Sequence, residues 1–394
     1  MKGAAYMENF VYRNPTTIYF GKKMEESIGE IVSRYSRNIL LHHYGEEILR
    51  MIGIYDSVVK SLNDAGVTYT ELGGVVANPR LSLIKEGIEI CRKEGIDFVL
   101  NIGGGSAIDS GKAIAFGVLY DGDVWDLFEK KAPCEKTLPT GSILTLPGTG
   151  SESSNSCVVT NEETGQKESV DVDVIRPKFA IMNPELTMSL PEYQTACGTY
   201  DAFCHIMERY FTDTPNVVIT DFQCESAMKA ILNIGPLQLE DPKNYDYRAE
   251  IMWACKIAHD NSLGIGRQVD WTCHQLGHRI SAVSDLTHGA SLAVMFLAWT
   301  KYVYKDHLDR FYKFAVNVFD VHPTAMSREQ VALEGIYKLE AWTKKMGLPT
   351  TLSEAGIDLS LIPEMTKKWE GGSQGGKFHR LSKADIDAIF KMAE

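Results

Sequence analysis

The first half of the chain alternates short apolar segments with amphipathic ones. Apolar runs at residues 38–42, 67–72 and 98–102 have the length of strands, and segments with helical spacing such as Leu81–Glu94 lie between them. Strands that alternate with helices form a parallel sheet covered by helices on both faces. The sequence therefore predicts a doubly wound α/β fold at this end.

The pattern changes after Asn183-Pro-Glu-Leu-Thr187, where strand-like segments nearly vanish and long helical patterns follow. A chain of 394 residues is long enough for about two domains. We therefore expect an α/β domain over residues 1–187 and an all-helical domain over residues 188–394. Met7 offers an alternative start, which would make residues 1–6 an extension.

Composition excludes several classes of partner. The formal net charge is −12 and no stretch is rich in Lys or Arg, which argues against nucleic acid and anionic membrane surfaces. No uninterrupted apolar run reaches the length that spans a membrane. The eight cysteines form no Cys-x-x-Cys pair, so we interpret them as reduced thiols and expect a cytoplasmic protein.

A glycine-rich turn, Gly103–Ser106, directly follows the predicted strand 98–102. Such a turn lets backbone N–H groups approach a phosphate, and the helix that follows adds a favourable dipole. The spacing to Lys112 is one residue too long for a P-loop, and Ala113 stands where its Ser or Thr would be, which disfavours an ATPase. By itself the turn is equally consistent with a tight connection that binds nothing.

A second loop, Thr145-Leu-Pro-Gly-Thr149-Gly-Ser151-Glu152, favours the ligand-binding interpretation because it too follows a predicted strand. Two such loops at strand ends of one sheet define a crevice, and open α/β sheets bind nucleotides there. Neither loop has the Gly-x-Ser-x-Gly pattern, which disfavours a serine hydrolase. Glu46 and Glu47 follow strand 38–42; an acid there favours NAD over NADP, although acids also suit any first helical turn.

Five polar residues form a possible metal site. Asp201 and His205, and likewise His274 and His278, are four residues apart and so share a helix face, while His288 lies in a predicted bend. Imidazole and carboxylate donors suit Fe²⁺ or Zn²⁺ better than Mg²⁺ or Ca²⁺, and the absence of His-Glu-x-x-His disfavours a zinc protease. The remaining histidines are interpreted as ordinary core or surface residues: His42, His43, His259, His307, His322 and His379.

A metal combined with a nucleotide crevice points to hydride transfer. A divalent ion lowers the pKa of an alcohol and polarises an aldehyde, and a nicotinamide exchanges hydride with the same carbon. His278, one turn beyond His274, is available to carry the proton.

These motifs together resemble the iron-containing (group III) alcohol dehydrogenases, and within them the butanol-dehydrogenase-like branch. The resemblance runs along essentially the whole chain. It rests on Asn14-Pro-Thr, Phe20-Gly-Lys, Gly103-Gly-Gly-Ser-x-x-Asp109-x-x-Lys112, Gly148-Thr-Gly-Ser-Glu152, Asn183-Pro-Glu-Leu-Thr187, Asp201-Ala-x-x-His205, His274-x-x-x-His278 and His288-Gly289. It implies a Rossmann-like dinucleotide-binding domain, an all-helical metal-binding domain, and an active site in the cleft between them, as in the dehydroquinate synthase-like fold.

The resemblance also implies roles for residues. Metal ligation falls to Asp201, His205, His274 and His288, usually with Fe²⁺ and in some relatives Zn²⁺, and proton transfer near the nicotinamide to His278. The implied cofactor contacts are Gly103, Gly104, Gly105, Ser106, Asn78, Thr145, Thr149, Ser154, Ser156, Lys167 and Leu186. Two departures stand out: Tyr44-Gly-Glu-Glu47 replaces a Gly-Gly-Gly-Ser stretch that can accept NADP, and Leu146 replaces a threonine.

We therefore expect a metal-dependent NAD(P)-linked alcohol dehydrogenase or aldehyde reductase that acts on small primary alcohols and aldehydes such as butanol and butyraldehyde. We expect it to prefer NAD. We also expect a homodimer, formed through an edge strand near the N-terminus. One alternative is a lyase like dehydroquinate synthase, which calls for several basic residues near the metal, where only Arg267 and Arg279 occur. Another is a metal-binding protein without catalysis.

Overall fold

A computed structural model describes residues 6–372 and 374–394. Residues 1–5, which make up most of the possible N-terminal extension, lie outside the described part. The chain divides into two compact units. The sheet unit comprises Arg13–Pro191 and Pro242–Asp260, and the helical unit comprises the segment up to Tyr12, Glu192–Asp241 and Asn261–Glu394. The domain boundary at residues 187 and 188 stays a prediction.

The sheet unit contains all the strands, and its main sheet is parallel throughout. The strands are β1 (Thr17–Phe20), β2 (Asn38–His43), β3 (Thr68–Leu72), β4 (Phe98–Gly104), β5 (Thr140–Leu146), β6 (Ser156–Asn161), β7 (Gln166–Asp171) and β8 (Phe179–Met182). Six of them form one sheet in the order β1-β8-β5-β4-β2-β3, while β6 and β7 pair as an antiparallel hairpin. The predicted α/β fold is confirmed.

The other regular elements of the described structure are helices. The α-helices are α1 (Ile28–Ser33), α2 (Glu46–Met51), α3 (Tyr55–Asp64), α4 (Leu81–Glu94), α5 (Gly105–Val118), α6 (Trp125–Phe128), α7 (Glu192–Tyr210), α8 (Val218–Glu240), α9 (Tyr245–His259), α10 (Thr272–Ser284), α11 (His288–Val303), α12 (Leu308–Phe319), α13 (Arg328–Lys345), α14 (Ile362–Thr366) and α15 (Lys383–Met392). Short 3-10 helices are Met24–Ser27, Asp173–Ile175, Pro184–Thr187, Ser262–Gly264, Leu359–Leu361 and Lys367–Gly372. Helices α1–α6 and α9 belong to the sheet unit and the others to the helical unit.

The core of the sheet unit explains why its central strands are apolar without alternation. Successive side chains of a strand point to opposite faces, and here both faces are covered. Leu40 and Val99 belong to one buried cluster, whereas Ile39, Leu41 and Leu100 belong to another. Burying each such side chain contributes about 1.5–3 kcal/mol.

Two elements differ from the sequence-based expectation. The β-branched and aromatic residues between Phe10 and Phe20 predict a strand over that whole segment. Strand β1 covers only Thr17–Phe20, which are the residues that pair with β8. The helical pattern after residue 187 predicts a helix over residues 220–233, but α8 continues through Pro236 to Glu240. No helix in the described part of the chain is both long and apolar enough to cross a membrane.

Candidate functional site

Helix α7 carries three polar residues on one face of a buried helix. Asp201, His205 and Glu208 follow at spacings of four and three, which places them in one row along the helix. Their side chains are 5%, 4% and 2% exposed. This row therefore points into the interior of the helical unit, where polar groups need partners.

Helices α10 and α11 bring two more histidines to the same place. His274 lies in the first turn of α10, and His288 is the first residue of α11 rather than part of a bend. The start of α11 packs directly on α7, because a Cβ at Gly289 would overlap the carbonyl oxygen of Cys197. Glycine thus permits the close approach that sets His288 beside Asp201.

Asp201, His205 and His274 place donor atoms within 4.8 Å of one another, and His288 Nε2 also lies near Asp201. Asp201 Oδ1 lies 3.7 Å from His205 Nδ1, 3.7 Å from His274 Nε2 and 3.9 Å from His288 Nε2. These separations are too long for hydrogen bonds. Ligands about 2.0–2.2 Å from a tetrahedral ion are about 3.4 Å apart, so the separations suit a shared cation.

Unpartnered polar atoms test whether a cation fits here. Asp201 Oδ1 and His274 Nε2 are buried and have no hydrogen-bond partner among the residues that the structure describes. A buried carboxylate without a partner is strongly unfavourable, and a divalent ion would satisfy both atoms. The donor set therefore fits the metal that the resemblance implies.

Glu208 is a residue of this site that the sequence analysis missed. Its Oε1 accepts hydrogen bonds of 2.9 Å from both the backbone N and the Nδ1 of His274. A proton held on Nδ1 leaves the lone pair of Nε2 directed at the cation position, as is usual for histidine ligands. The spacing of seven residues from Asp201 is the signal that would have identified it.

Protonation and metal binding compete at His274. Burial lowers the pKa of this imidazole, but the carboxylates of Asp201 and Glu208 outweigh burial and raise the pKa above its ordinary value. The same two negative charges that attract a proton also attract a cation. Metal affinity should therefore fall as the pH decreases.

Trp271 forms one wall of the site and was likewise missed. Its ring stands edge-on to His205 at 5.9 Å and to His274 at 5.1 Å between centroids, and the Arg209 guanidinium lies 4.7 Å from its centroid. The φ of Trp271 is +68°, a left-handed conformation that costs an aromatic residue about 1–3 kcal/mol. Such strain persists only where the surrounding contacts hold it.

His278 lies next to the cluster rather than within it. Its ring centroid is 5.1 Å from that of His288, and its side chain is half-buried. The group of mutually close donor atoms consists of Asp201, His205 and His274. That His278 is not itself a metal ligand stays a prediction, and its position outside this group is consistent with it.

The two glycine-rich loops of the sheet unit meet. β4 ends at Gly104 and α5 begins at Gly105, where a Cβ would overlap the Thr149 side chain of the second loop. The Tyr44 ring covers Gly103, at which a Cβ would lie 2.7 Å from it. Tyr44 could not be identified as a loop contact from its spacing, since a lone tyrosine forms no motif.

The second loop is held by residues distant in sequence. The buried Lys112 ammonium donates to Ser151 Oγ at 2.9 Å, and to the carbonyl oxygens of Ser154 at 3.1 Å and Ser156 at 2.8 Å. His259 at the end of α9 contacts the Thr149 carbonyl oxygen through Nδ1 at 2.6 Å. Lys112 and His259 thus shape a proposed cofactor loop, a role that sequence spacing did not indicate.

The remaining predicted cofactor residues lie at several places in the sheet unit. Asn78 Oδ1 accepts a 2.8 Å hydrogen bond from Lys167 Nζ, although the two are far apart in sequence. Thr145 lies near the end of β5, and Leu186 is buried in Pro184–Thr187. Glu46 is the first residue of α2 and accepts a 2.7 Å hydrogen bond from Arg50 Nε.

Comparison with known proteins adds independent information. The family model described as iron-containing alcohol dehydrogenase matches residues 15–184, and that of the C-terminal part of the same family matches residues 195–394. The chain is 40% identical to a probable NADH-dependent butanol dehydrogenase 2 of Bacillus subtilis, over 98% of this chain and 99% of that one. It is 32% identical to the NADPH-dependent aldehyde reductase YqhD of Escherichia coli, over 95% and 97%.

Solved structures agree with this likeness. The crystal structure of NADH-dependent butanol dehydrogenase A from Thermotoga maritima superposes with a TM-score of 0.94 at 36% identity, covering 98% of this chain and 99% of that chain. A likeness along the full length includes both the sheet and the helical parts of the chain.

The role of Glu208 is testable by an isosteric change. Glu208→Gln removes the charge that orients His274, and loss of such an outer partner typically weakens metal binding by about 10–100-fold. The affinity for the metal is obtained by equilibrating each protein with a competing chelator and measuring the metal that it retains by elemental analysis. Glu225→Gln is the matched control, because Glu225 is also buried but bonds Tyr210 and Asn317. Equal retention by the two variants would contradict the role.

Proposed function

This chain belongs to the iron-containing alcohol dehydrogenase family, and from that premise we propose that it interconverts small primary alcohols and aldehydes such as butanol and butyraldehyde. It is an oxidoreductase, as family membership establishes. The observation that carries the proposal is the buried set of Asp201, His205 and His274, in which Asp201 Oδ1 and His274 Nε2 have no hydrogen-bond partner among the described residues. A dehydroquinate synthase-like lyase is the alternative, and the relatives named above favour the alcohol dehydrogenase.

The proposed metal ligands are Asp201, His205, His274 and His288, with Fe²⁺ as the expected ion and Zn²⁺ as the substitute. When bound, the metal supplies a Lewis acid that acidifies an alcohol and polarises a carbonyl group. Glu208 keeps His274 in the tautomer that binds a cation. The proximity of the Trp271 ring to His205 and His274 supports a role in keeping both imidazoles in place.

His278 is the proposed proton carrier. Aldehyde reduction needs a hydride at carbon and a proton at oxygen, and alcohol oxidation releases both. An imidazole has an ordinary pKa near neutrality and can give or take that proton. The half-buried position of His278 beside His288 supports this role, since a proton carrier must exchange with solvent.

The proposed dinucleotide site lies on the sheet unit. NAD(P) supplies the hydride-carrying nicotinamide. The end of β4, Gly103 and Gly104, and the start of the 14-residue helix α5, Gly105 and Ser106, would present backbone N–H groups to the pyrophosphate. The other proposed contacts are Asn78, Thr145, Thr149, Ser154, Ser156, Lys167 and Leu186.

A preference for NAD over NADP is proposed from Glu46. Its carboxylate follows β2 and would accept a hydrogen bond from a ribose hydroxyl but repel a 2′-phosphate. Arg50, which could otherwise attract that phosphate, is paired with Glu46 and with Asp56. This ion pair supports a preference for NAD, because Glu46 would repel the 2′-phosphate of NADP and also pairs with Arg50, the nearby cation.

A cytoplasmic location and a homodimer complete the proposal. Seven of the eight cysteines are buried, and burial raises the pKa of the Cys197 thiol to about 12, which suits reduced, unreactive thiols. Phe10 and Val11 are 53% and 98% exposed, although both are apolar. An exposed apolar segment of this kind supports contact with a second copy of the chain.

The activity itself is tested on anaerobically purified protein loaded with Fe²⁺ or Zn²⁺. We expect oxidation of NADH in the presence of short linear aldehydes, including butyraldehyde. The loss of absorbance of the reduced nicotinamide measures this reaction. NADPH should be used less efficiently. Failure to oxidise either nucleotide with any aldehyde and either metal would refute the proposed reaction.

Two histidine variants separate ligation from proton transfer. His274→Ala removes a proposed ligand and should abolish metal retention and activity together. His278→Ala should retain the metal but lose about 10²–10⁴-fold in rate, the usual contribution of a general acid–base group. Metal content and steady-state rates are the measurements. Unchanged metal content in His274→Ala would remove that residue from the ligand set.

Cofactor choice is tested at Glu46. Glu46→Ser should move the ratio of kcat/KM for NADH and NADPH by about tenfold or more toward NADPH, because like-charge repulsion of this kind is worth over 1.4 kcal/mol. Glu47→Ser is the control, since it removes the adjacent exposed acid instead. A larger shift in the control would move the assignment to Glu47.

Sedimentation velocity tests the proposed dimer. The wild-type protein should sediment with twice the chain mass of 43.9 kDa. Val11→Asp places a charge in the exposed apolar segment and should weaken association because the carboxylate must be desolvated at an interface. A monomeric wild type would contradict the proposal.

A further inference from the structure

Two histidines of the helical unit meet at a place separate from the proposed metal centre. His307 directly precedes α12, and His379 lies between Lys367–Gly372 and α15. His307 Nε2 and His379 Nδ1 form a hydrogen bond of 3.1 Å. Their side chains are 15% and 20% exposed, so both remain accessible from solvent.

A carboxylate lies beside the first imidazole. Asp213 Oδ1 is 3.3 Å from His307 Nδ1, and the Asp213 side chain is 60% exposed. A proton on Nδ1 faces this carboxylate and leaves the Nε2 lone pair facing His379. Metal-binding histidines in proteins commonly have a carboxylate partner.

Packing holds the pair in place before any ligand arrives. The Phe378 ring lies 3.9 Å from the His307 ring between centroids, with a tilt of 31°. The backbone N of Phe378 donates to Asp270 Oδ1 at 3.0 Å, and the backbone N of Lys377 donates to the same oxygen. The segment that carries His379 is therefore anchored, which lowers the entropic cost of binding.

The surroundings offer one further carboxylate and room for water. Asp306 Oδ2 lies 3.9 Å from His379 Nδ1, and its 69% exposed side chain is able to rotate toward the pair. A cavity of about 530 Å³, lined in part by Asp213, Asp306 and His307, leaves room for water ligands. Its lining also includes Lys305, Arg310 and Lys313, of which Arg310 is paired with Asp221.

The tautomer of His379 decides which of its nitrogens can bind a cation. It can ligate through Nδ1 when its proton resides on Nε2, and the ion then replaces the hydrogen bond to His307 Nε2.

We propose that His307 Nε2 and His379 Nδ1 form a second divalent-cation site, for an ion of the Zn²⁺ class, with Asp306 and water completing the coordination. Two imidazole nitrogens about 2.0–2.1 Å from one ion are about 3.0–3.4 Å apart, which includes the separation observed. The ion would tie the start of α12 to the segment before α15. This proposal does not depend on the reaction proposed above.

The test counts Zn²⁺ bound to the metal-free full chain, with Zn²⁺ alone as the probe and a chromophoric chelator as competitor. The wild type should bind two ions per chain. His379→Gln should bind one and keep its alcohol dehydrogenase rate, because His379 lies outside the proposed catalytic machinery. His322→Ala, which removes an exposed histidine elsewhere, should still bind two.

Further variants distinguish the two sites. Asp213→Asn should weaken the second ion by about 10–100-fold through loss of the orienting carboxylate. His205→Ala should lose the ion of the first site and keep one ion, bound at the second site. His379→Gln should show the opposite pattern. One ion in the wild type, or two in His379→Gln, would overturn the second site. Full retention by His205→Ala would instead contradict the ligand set of the first.

Discussion

The buried carboxylate of Asp201 is the constraint on which the helical unit depends. A charge without a hydrogen-bond partner in a protein interior is highly unfavourable, yet Asp201 Oδ1 lies among three imidazoles at distances beyond hydrogen bonding. The arrangement becomes favourable with a divalent cation at its centre. Helices α7, α10 and α11 must converge to build it, and Gly289 is what lets α11 approach α7.

The outer contacts of this site account for its precision. Glu208 accepts hydrogen bonds from both the backbone and the ring of His274, so one carboxylate sets the position and the tautomer of that proposed ligand. Trp271 adopts a strained left-handed conformation and packs against two of the imidazoles. The strained backbone of Trp271 costs folding free energy, and its surroundings retain it because it places the ring against these imidazoles.

In the sheet unit, the proposed binding surface consists mainly of backbone groups, whereas the proposed site of the helical unit consists of side chains. Glycines at 103–105 allow the loops to approach each other and a phosphate. Such loops have little side-chain packing of their own, so residues elsewhere must hold them. Lys112 on α5 and His259 on α9 supply these contacts, which explains why α9 belongs to this unit although it follows α7 and α8 in sequence.

The sequence by itself determined the elements and much of the proposed chemistry. Apolar runs separated by helical patterns predicted the parallel sheet, and four-residue spacing placed Asp201 with His205 on one helix face, because both signals are local and periodic. The same periodicity extended by one turn would have revealed Glu208. Only the tertiary structure brought together Tyr44 with Gly103, His259 with Thr149, and His307 with His379. Those pairs lie on different elements, and chain spacing carries no information about contacts that packing creates.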